Sequence, residues 1–214
     1  MKKLKPIQTE YGGFLFRSRL EARWAVFFDA CGVDWEYEPE GYDLGNGIHY
    51  LPDFLLHGVD GRDGGDLYVE VKGQMTDSDA EKINRFAELG MEEPDQYGKS
   101  ATAILVVGRI PDGDSIDDIT DHISFTAYND CGGWPNEFNF RTIDGDYFAA
   151  HPGVNWSGNF ELFGDDSNYL AHMNPAATER AYRLARHARF EHGKKMRVQP
   201  YSPKGYRFIG EVGQ

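Results

Sequence analysis

The sequence predicts a mixed α/β fold whose core runs helix, three strands, helix, strand, followed by an irregular insertion and a C-terminal helix. Three observations carry this. Two apolar stripes at helical spacing, over residues 18–31 and 78–89, bracket three short runs of strand character at 34–38, 48–54 and 67–71. A nearly continuous apolar run at 101–107 then reads as a strand covered on both faces. A mixed sheet flanked by helices accommodates that order.

Each element has its own signature. In the first helix Leu20, Trp24, Phe27, Phe28 and Cys31 make one apolar face. Ser18-Arg19-Leu20-Glu21 is a capping-box pattern at its start, and Gly32 stops it. Asp34-Trp35-Glu36-Tyr37-Glu38 alternates, is rich in aromatics and ends at Pro39, as a strand would. Gly45-Asn46-Gly47 marks a turn. Residues 48–54 read as a second strand interrupted at Pro52, 58–66 as a glycine- and aspartate-rich loop, and 67–71 as a third strand. In the second helix Ala80, Ile83, Phe86, Ala87 and Leu89 form the stripe, and Gly90 ends it. Residues 109–173 are rich in Asp, Gly, Asn and aromatics with weak periodicity, and read as an irregular or β-rich insertion. A helix returns over 174–192 within a basic segment that reaches 214. The division is therefore a core at 1–108, an insertion at 109–173 and a C-terminal helix and tail at 174–214.

Composition narrows the class. The 214 residues are 40% hydrophobic, which is enough for one well-buried domain. The chain has no run of about 18 apolar residues that would span a membrane. The N-terminus is basic but lacks the apolar core of a signal peptide. Cys31 and Cys131 are far apart, which fits reduced thiols in a cytoplasmic protein, with Cys31 a small core residue. The net charge of −13 weighs against a nucleic-acid partner, but its distribution does not. Residues 1–24 balance at +4 and residues 176–214 at +6, leaving −23 for the middle. Basic ends suit a polyanion if they share a face; a plainly solvated surface is the competing reading.

Chemistry concentrates at Asp53, Glu70 and Lys72. Asp53 ends the second strand in Tyr50-Leu51-Pro52-Asp53-Phe54, and Glu70 and Lys72 lie on the third in Tyr68-Val69-Glu70-Val71-Lys72-Gly73. Strand alternation puts Glu70 and Lys72 on one face and Val69 and Val71 on the other. If the two strands pair as a hairpin, Asp53 lies beside Glu70. Two carboxylates plus a backbone carbonyl are hard oxygen donors that suit Mg²⁺. Such a metal polarises a phosphodiester and acidifies a bound water, while Lys72 orients that water or steadies charge on phosphorus. An exposed Glu–Lys pair on a strand face is the alternative for Glu70 and Lys72 alone.

Pro52-Asp53 followed by Glu70-Val71-Lys72, in this element order, resembles the PD-(D/E)XK nuclease superfamily and its restriction-endonuclease-like core. The resemblance covers residues 14–108. The Ser18 helix start, the Tyr37-Glu38-Pro39 strand end and Tyr50-Leu51-Pro52-Asp53-Phe54 look most like the transposon-end type and small phage-encoded endonucleases. It implies that Asp53 and Glu70 are metal ligands with the Val71 carbonyl, that Lys72 is the catalytic lysine, and that Glu21 completes the site from the first helix. For Glu21 the capping-box role stays open, and Gln74 matches a polar residue after the lysine or is a plain loop residue. The cofactor implied is Mg²⁺, with Mn²⁺ as a substitute, and the partner is DNA.

The C-terminal helix offers Arg183, Arg186 and Arg189 for phosphate contacts, or else a solvated basic face. His122, Cys131, His151 and His172 are irregularly spaced without a C-x-x-C, which argues against zinc. The expectation is thus a Mg²⁺-dependent phosphodiester hydrolase acting on DNA, as an endonuclease. Two rivals stand beside it: an inactive nucleic-acid-binding module on the same fold, and an acidic partner-binding protein. Endo- versus exonucleolytic cutting, sequence preference, oligomeric state and the choice between DNA and RNA are not encoded legibly.

Overall fold

The first helix, α1 (Arg19–Cys31), organises the molecule. In the computed structural model, which describes residues 6–60, 65–89, 104–111, 124–127, 149–163 and 171–190, it starts at Ser18. The Ser18 hydroxyl accepts the Glu21 N–H at 3.1 Å, satisfying one of the orphan donors of the first turn. It stops where the Gly32 and Val33 N–H groups bond back to Asp29 and Phe28 at 3.1 and 3.0 Å. Trp24, Phe27 and Phe28 are fully buried, and each such ring contributes several kcal/mol, roughly 3–5, to core packing.

Before α1, the strands β1 (Thr9–Tyr11) and β2 (Phe14–Phe16) form a hairpin. After it come β3 (Trp35–Tyr37), β4 (Tyr42–Asp43), β5 (His49–Tyr50), β6 (Phe54–Asp60), β7 (Gly65–Val71), α2 (Asp77–Glu88), β8 (Ile104–Val107), β9 (Ser124–Ala127), β10 (Ala149–Val154), β11 (Phe160–Phe163) and α3 (Pro175–His187). Among the described residues the main sheet has the order β11-β10-β9-β8-β7-β6-β3. Its pairs are antiparallel except β7 with β8, which α2 connects as a crossover requires. The fold is mixed α/β around a mixed sheet.

The sheet separates two apolar cores. On one face Phe54, Leu56, Leu67, Val69, Leu105 and Val107 pack with α1 and α3. On the other, Ile104 and Val106 pack with Ala80, Ile83 and Phe86 of α2 and with Tyr50. All four residues of β8 are buried, alternately on the two faces, which explains the unbroken apolar run.

Three expectations require correction. Residues 48–54 do not form one strand. His49–Tyr50 pairs with Tyr42–Asp43 in a separate two-stranded sheet closed by the Gly45–Ile48 turn, and the strand of the main sheet begins only at Phe54. Pro52, with no N–H to donate, falls in the break between them. Nor is 58–66 wholly a loop, because β6 runs to Asp60 and β7 starts at Gly65. The register shifts between Leu56 and Asp60, where Gly58 takes a φ of +64°. Such a bulge needs a residue without a Cβ, so glycine there marks a distorted strand rather than a turn. The third helix is also shorter than expected, ending at His187.

In the insertion, β9, β10 and β11 extend the main sheet beyond β8. Helix α3 folds back onto α1 and β10. Tyr182 packs 4.4 Å from Phe27 and donates to the Pro152 carbonyl at 2.8 Å. His122 and Cys131 lie outside the described residues.

Candidate active site

The β6–β7 ladder places the carboxylates. Phe54 pairs with Val69, so Asp53, one residue beyond the ladder, falls opposite Glu70. The Val71 N–H on this side has no strand carbonyl to meet. Asp53 Oδ2 accepts it at 2.7 Å. The next amide, Lys72, points the other way and donates to Val107 of β8 at 2.8 Å. Asp53 therefore ends the hairpin as a side-chain cap.

Glu70 lies on the α2 face of β7, opposite Val69 and Val71. Its Oε2 accepts the Tyr50 hydroxyl at 2.6 Å, and its Oε1 receives the Lys72 ammonium at 2.5 Å. Lys72 also approaches Asp79 Oδ1 at 3.6 Å. Asp79 is the third residue of the α2 capping box with Thr76, so the helix start is tied to the site.

Only half of the capping box forms at Glu21: its backbone is capped by Ser18, but its carboxylate does not return to the Ser18 N–H. Instead Oε2 accepts the Arg17 N–H at 3.1 Å and the Tyr37 hydroxyl at 2.7 Å. Arg17 then completes the cluster, with Nη2 2.6 Å from Asp53 Oδ1 and Nε 2.7 Å from Glu38 Oε1.

Burial makes this arrangement costly. Asp53, Glu70 and Glu21 expose 3%, 2% and 7% of their surface. With Glu38 and Asp79, five carboxylates surround the two cations Arg17 and Lys72. The Asp53 carboxyl is pushed up to about 7, first by burial and then by the Glu70 charge, against the opposing pull of the Val71 amide. Burial lifts the Tyr50 phenol well above its usual value, and the Glu70 charge adds to it, so Tyr50 stays a donor. Burial works against the Lys72 ammonium, but Glu70, Asp53 and Asp79 outweigh it and raise its pKa, so Lys72 stays charged.

The structure thus brings together Asp53, Glu70, Lys72, Glu21 and the Val71 backbone. Arg183 and Arg189 are exposed, on α3 and just beyond it, outside the carboxylate cluster. Arg186 is half-buried and donates to the Pro111 carbonyl at 2.9 Å, on the segment leaving the end of β8. Gln74 is exposed in the turn before α2. Three residues that sequence reasoning passed over, Arg17, Tyr37 and Tyr50, contact the carboxylates directly. Tyr37 and Tyr50 both sit in segments that carry the resemblance, Tyr37-Glu38-Pro39 and Tyr50-Leu51-Pro52-Asp53-Phe54, and that placement was the available signal.

The cluster holds more buried, hard oxygen donors than cations, a charge imbalance of the kind a divalent ion would offset, but no three His, Cys, Asp or Glu side chains among the described residues stand in an arrangement that could hold one. Comparison with protein-family models, with curated proteins and with solved structures finds no match to this chain. No helix among the described residues is long and apolar enough to cross a membrane.

Proposed function

We propose that the chain is a metal-dependent nuclease of the PD-(D/E)XK type that hydrolyses phosphodiester bonds in DNA, as an endonuclease. The observation that carries this is the placement of Asp53 against Glu70 across the end of the β6–β7 hairpin, with the Lys72 ammonium on Glu70. The α1–β3–β6–β7–α2–β8 order, in which β6 pairs antiparallel and β8 parallel to β7, supports the restriction-endonuclease-like core.

Asp53 and Glu70 would hold Mg²⁺, or Mn²⁺ in its place, with the Val71 carbonyl and Glu21 as further donors. A cation there supplies Lewis acidity toward phosphate and lowers the pKa of a coordinated water. The chain's own residues do the rest. Tyr50 fixes the Glu70 carboxylate, and Tyr37 fixes that of Glu21. Lys72, kept charged, faces the charge that grows on the phosphoryl oxygens as water adds and the ester P–O bond breaks. The exposed Arg183 and Arg189 would contact backbone phosphates without reading bases.

The test is incubation of closed-circular and linear DNA, single- and double-stranded, with and without Mg²⁺. Loss of closed circles only in the presence of metal is expected. Asp53→Asn and Glu70→Gln should each fall below about a hundredth of the wild-type rate. Full activity in either variant overturns the site assignment. Retained DNA binding without any cleavage would favour an inactive binding module instead.

A further inference from the structure

We propose that Arg17 is a cationic latch on Asp53, holding the oxygen that a divalent ion needs, so that metal binding requires the guanidinium to leave. This rests on the metal-site reading above and deepens it.

The geometry is specific. Arg17 Nη2 lies 2.6 Å from Asp53 Oδ1, while Oδ2 is already committed to the Val71 N–H at 2.7 Å. Both oxygens of Asp53 are thus occupied, one by a backbone amide and the other by a side chain. The Arg17 backbone is fixed, its N–H shared between Glu21 Oε2 at 3.1 Å and the Tyr37 hydroxyl at 3.0 Å. Its side chain is 53% exposed, against 5% for that of Asp53. A half-exposed side chain on an anchored backbone can change rotamer without disturbing the fold. Nε meanwhile pairs with Glu38 Oε1 at 2.7 Å, on a carboxylate 30% exposed, so the guanidinium keeps a partner at the rim when it releases Asp53.

A guanidinium and a divalent ion on the same carboxylate oxygen repel each other, the more strongly in a poorly solvated site, so each weakens the other's hold on Asp53. Their binding is therefore competitive. A charge-assisted hydrogen bond of this kind is strong enough to weaken a competing cation by about tenfold or more. The latch also answers how a buried carboxylate cluster survives without metal: Arg17 supplies the missing positive charge. Arginine suits this role better than lysine, because its planar fork bridges Asp53 and Glu38 at once.

Mn²⁺ titrated calorimetrically into the full chain tests it. Wild type, Arg17→Gln, Arg17→Lys and Asp53→Asn would be compared, with the Mn²⁺-induced rise in melting temperature as a second readout. Arg17→Gln is expected to bind Mn²⁺ at least about tenfold more tightly and to gain more in melting temperature. Arg17→Lys, which keeps the charge but loses the fork, is expected to bind a few-fold more tightly, and it carries the test if the glutamine variant does not fold. Unchanged or weaker binding in these variants, with binding lost in Asp53→Asn, overturns the latch and leaves the metal site standing. Wild-type Mn²⁺ binding by Asp53→Asn overturns the metal-site reading itself.

Discussion

Asp53 does two jobs with one carboxylate. It closes the backbone of the β6–β7 hairpin through Val71, and it holds charge next to Glu70 and Glu21. Its pKa, about 7 against 3.8 in the unfolded chain, has a consequence for stability. Between those two values the folded protein keeps a proton that the unfolded chain has lost. Without metal, stability therefore falls as pH rises through that window. Urea unfolding at pH 4.5 and pH 7 should show this decline in wild type and a shallower one in Asp53→Asn; parallel declines would contradict it. Asp53, Glu70 and Lys72 were legible in the sequence because strand alternation and a short motif fix them locally. Arg17 and Tyr37 were not. Both act through contacts 36 and 16 residues away in sequence, and neither carries a local pattern that announces its partner.

At the scale of elements, α1 was readable because its stripe, its Ser18 cap and its Gly32 stop agree, and α2 because Ala80, Ile83, Phe86 and Ala87 form one buried stripe; its expected stop at Gly90 lies outside the described residues. The strand β6 was misplaced because the positive-φ Gly58 opens a glycine- and aspartate-rich stretch that imitates loop composition, while the pairing continues to Asp60 and Gly65. The contact between β10 and α3 was invisible for another reason: it depends on absence of a side chain. A Cβ added at Gly153 would lie 2.9 Å from Thr178 Oγ1 and 3.1 Å from Phe163 Cε2. Thr178 cannot easily give way, since it is fully buried and its hydroxyl accepts the Val154 N–H at 3.0 Å. Gly153→Ala should therefore cost about 1–3 kcal/mol in urea unfolding by pushing α3 from the sheet. A change within about 0.5 kcal/mol would show that the helix tolerates the shift.

Over the whole molecule, the net charge of −13 and the proposed polyanion substrate pull against each other. The carboxylates concentrate in the middle of the chain, and part of that charge is sequestered around Arg17 and Lys72. Binding of the proposed DNA substrate would then depend on a few exposed cations, Arg183 and Arg189 among them. Their joint replacement by alanine should weaken DNA binding across sequences and flatten the dependence of log affinity on log salt by roughly two. An unchanged slope would place the phosphate contacts elsewhere. The Asp53 cap also gives the molecule a built-in reporter. The Val71 amide, in a central strand, is held by a carboxylate rather than by a neighbouring strand's carbonyl. Its solvent-exchange lifetime therefore follows the state of the site, whereas that of its neighbour Lys72, bonded to Val107, follows only the opening of the sheet. Deuterium uptake compared at these two adjacent amides, with and without Mn²⁺, would separate a change at Asp53 from a general stiffening of the fold.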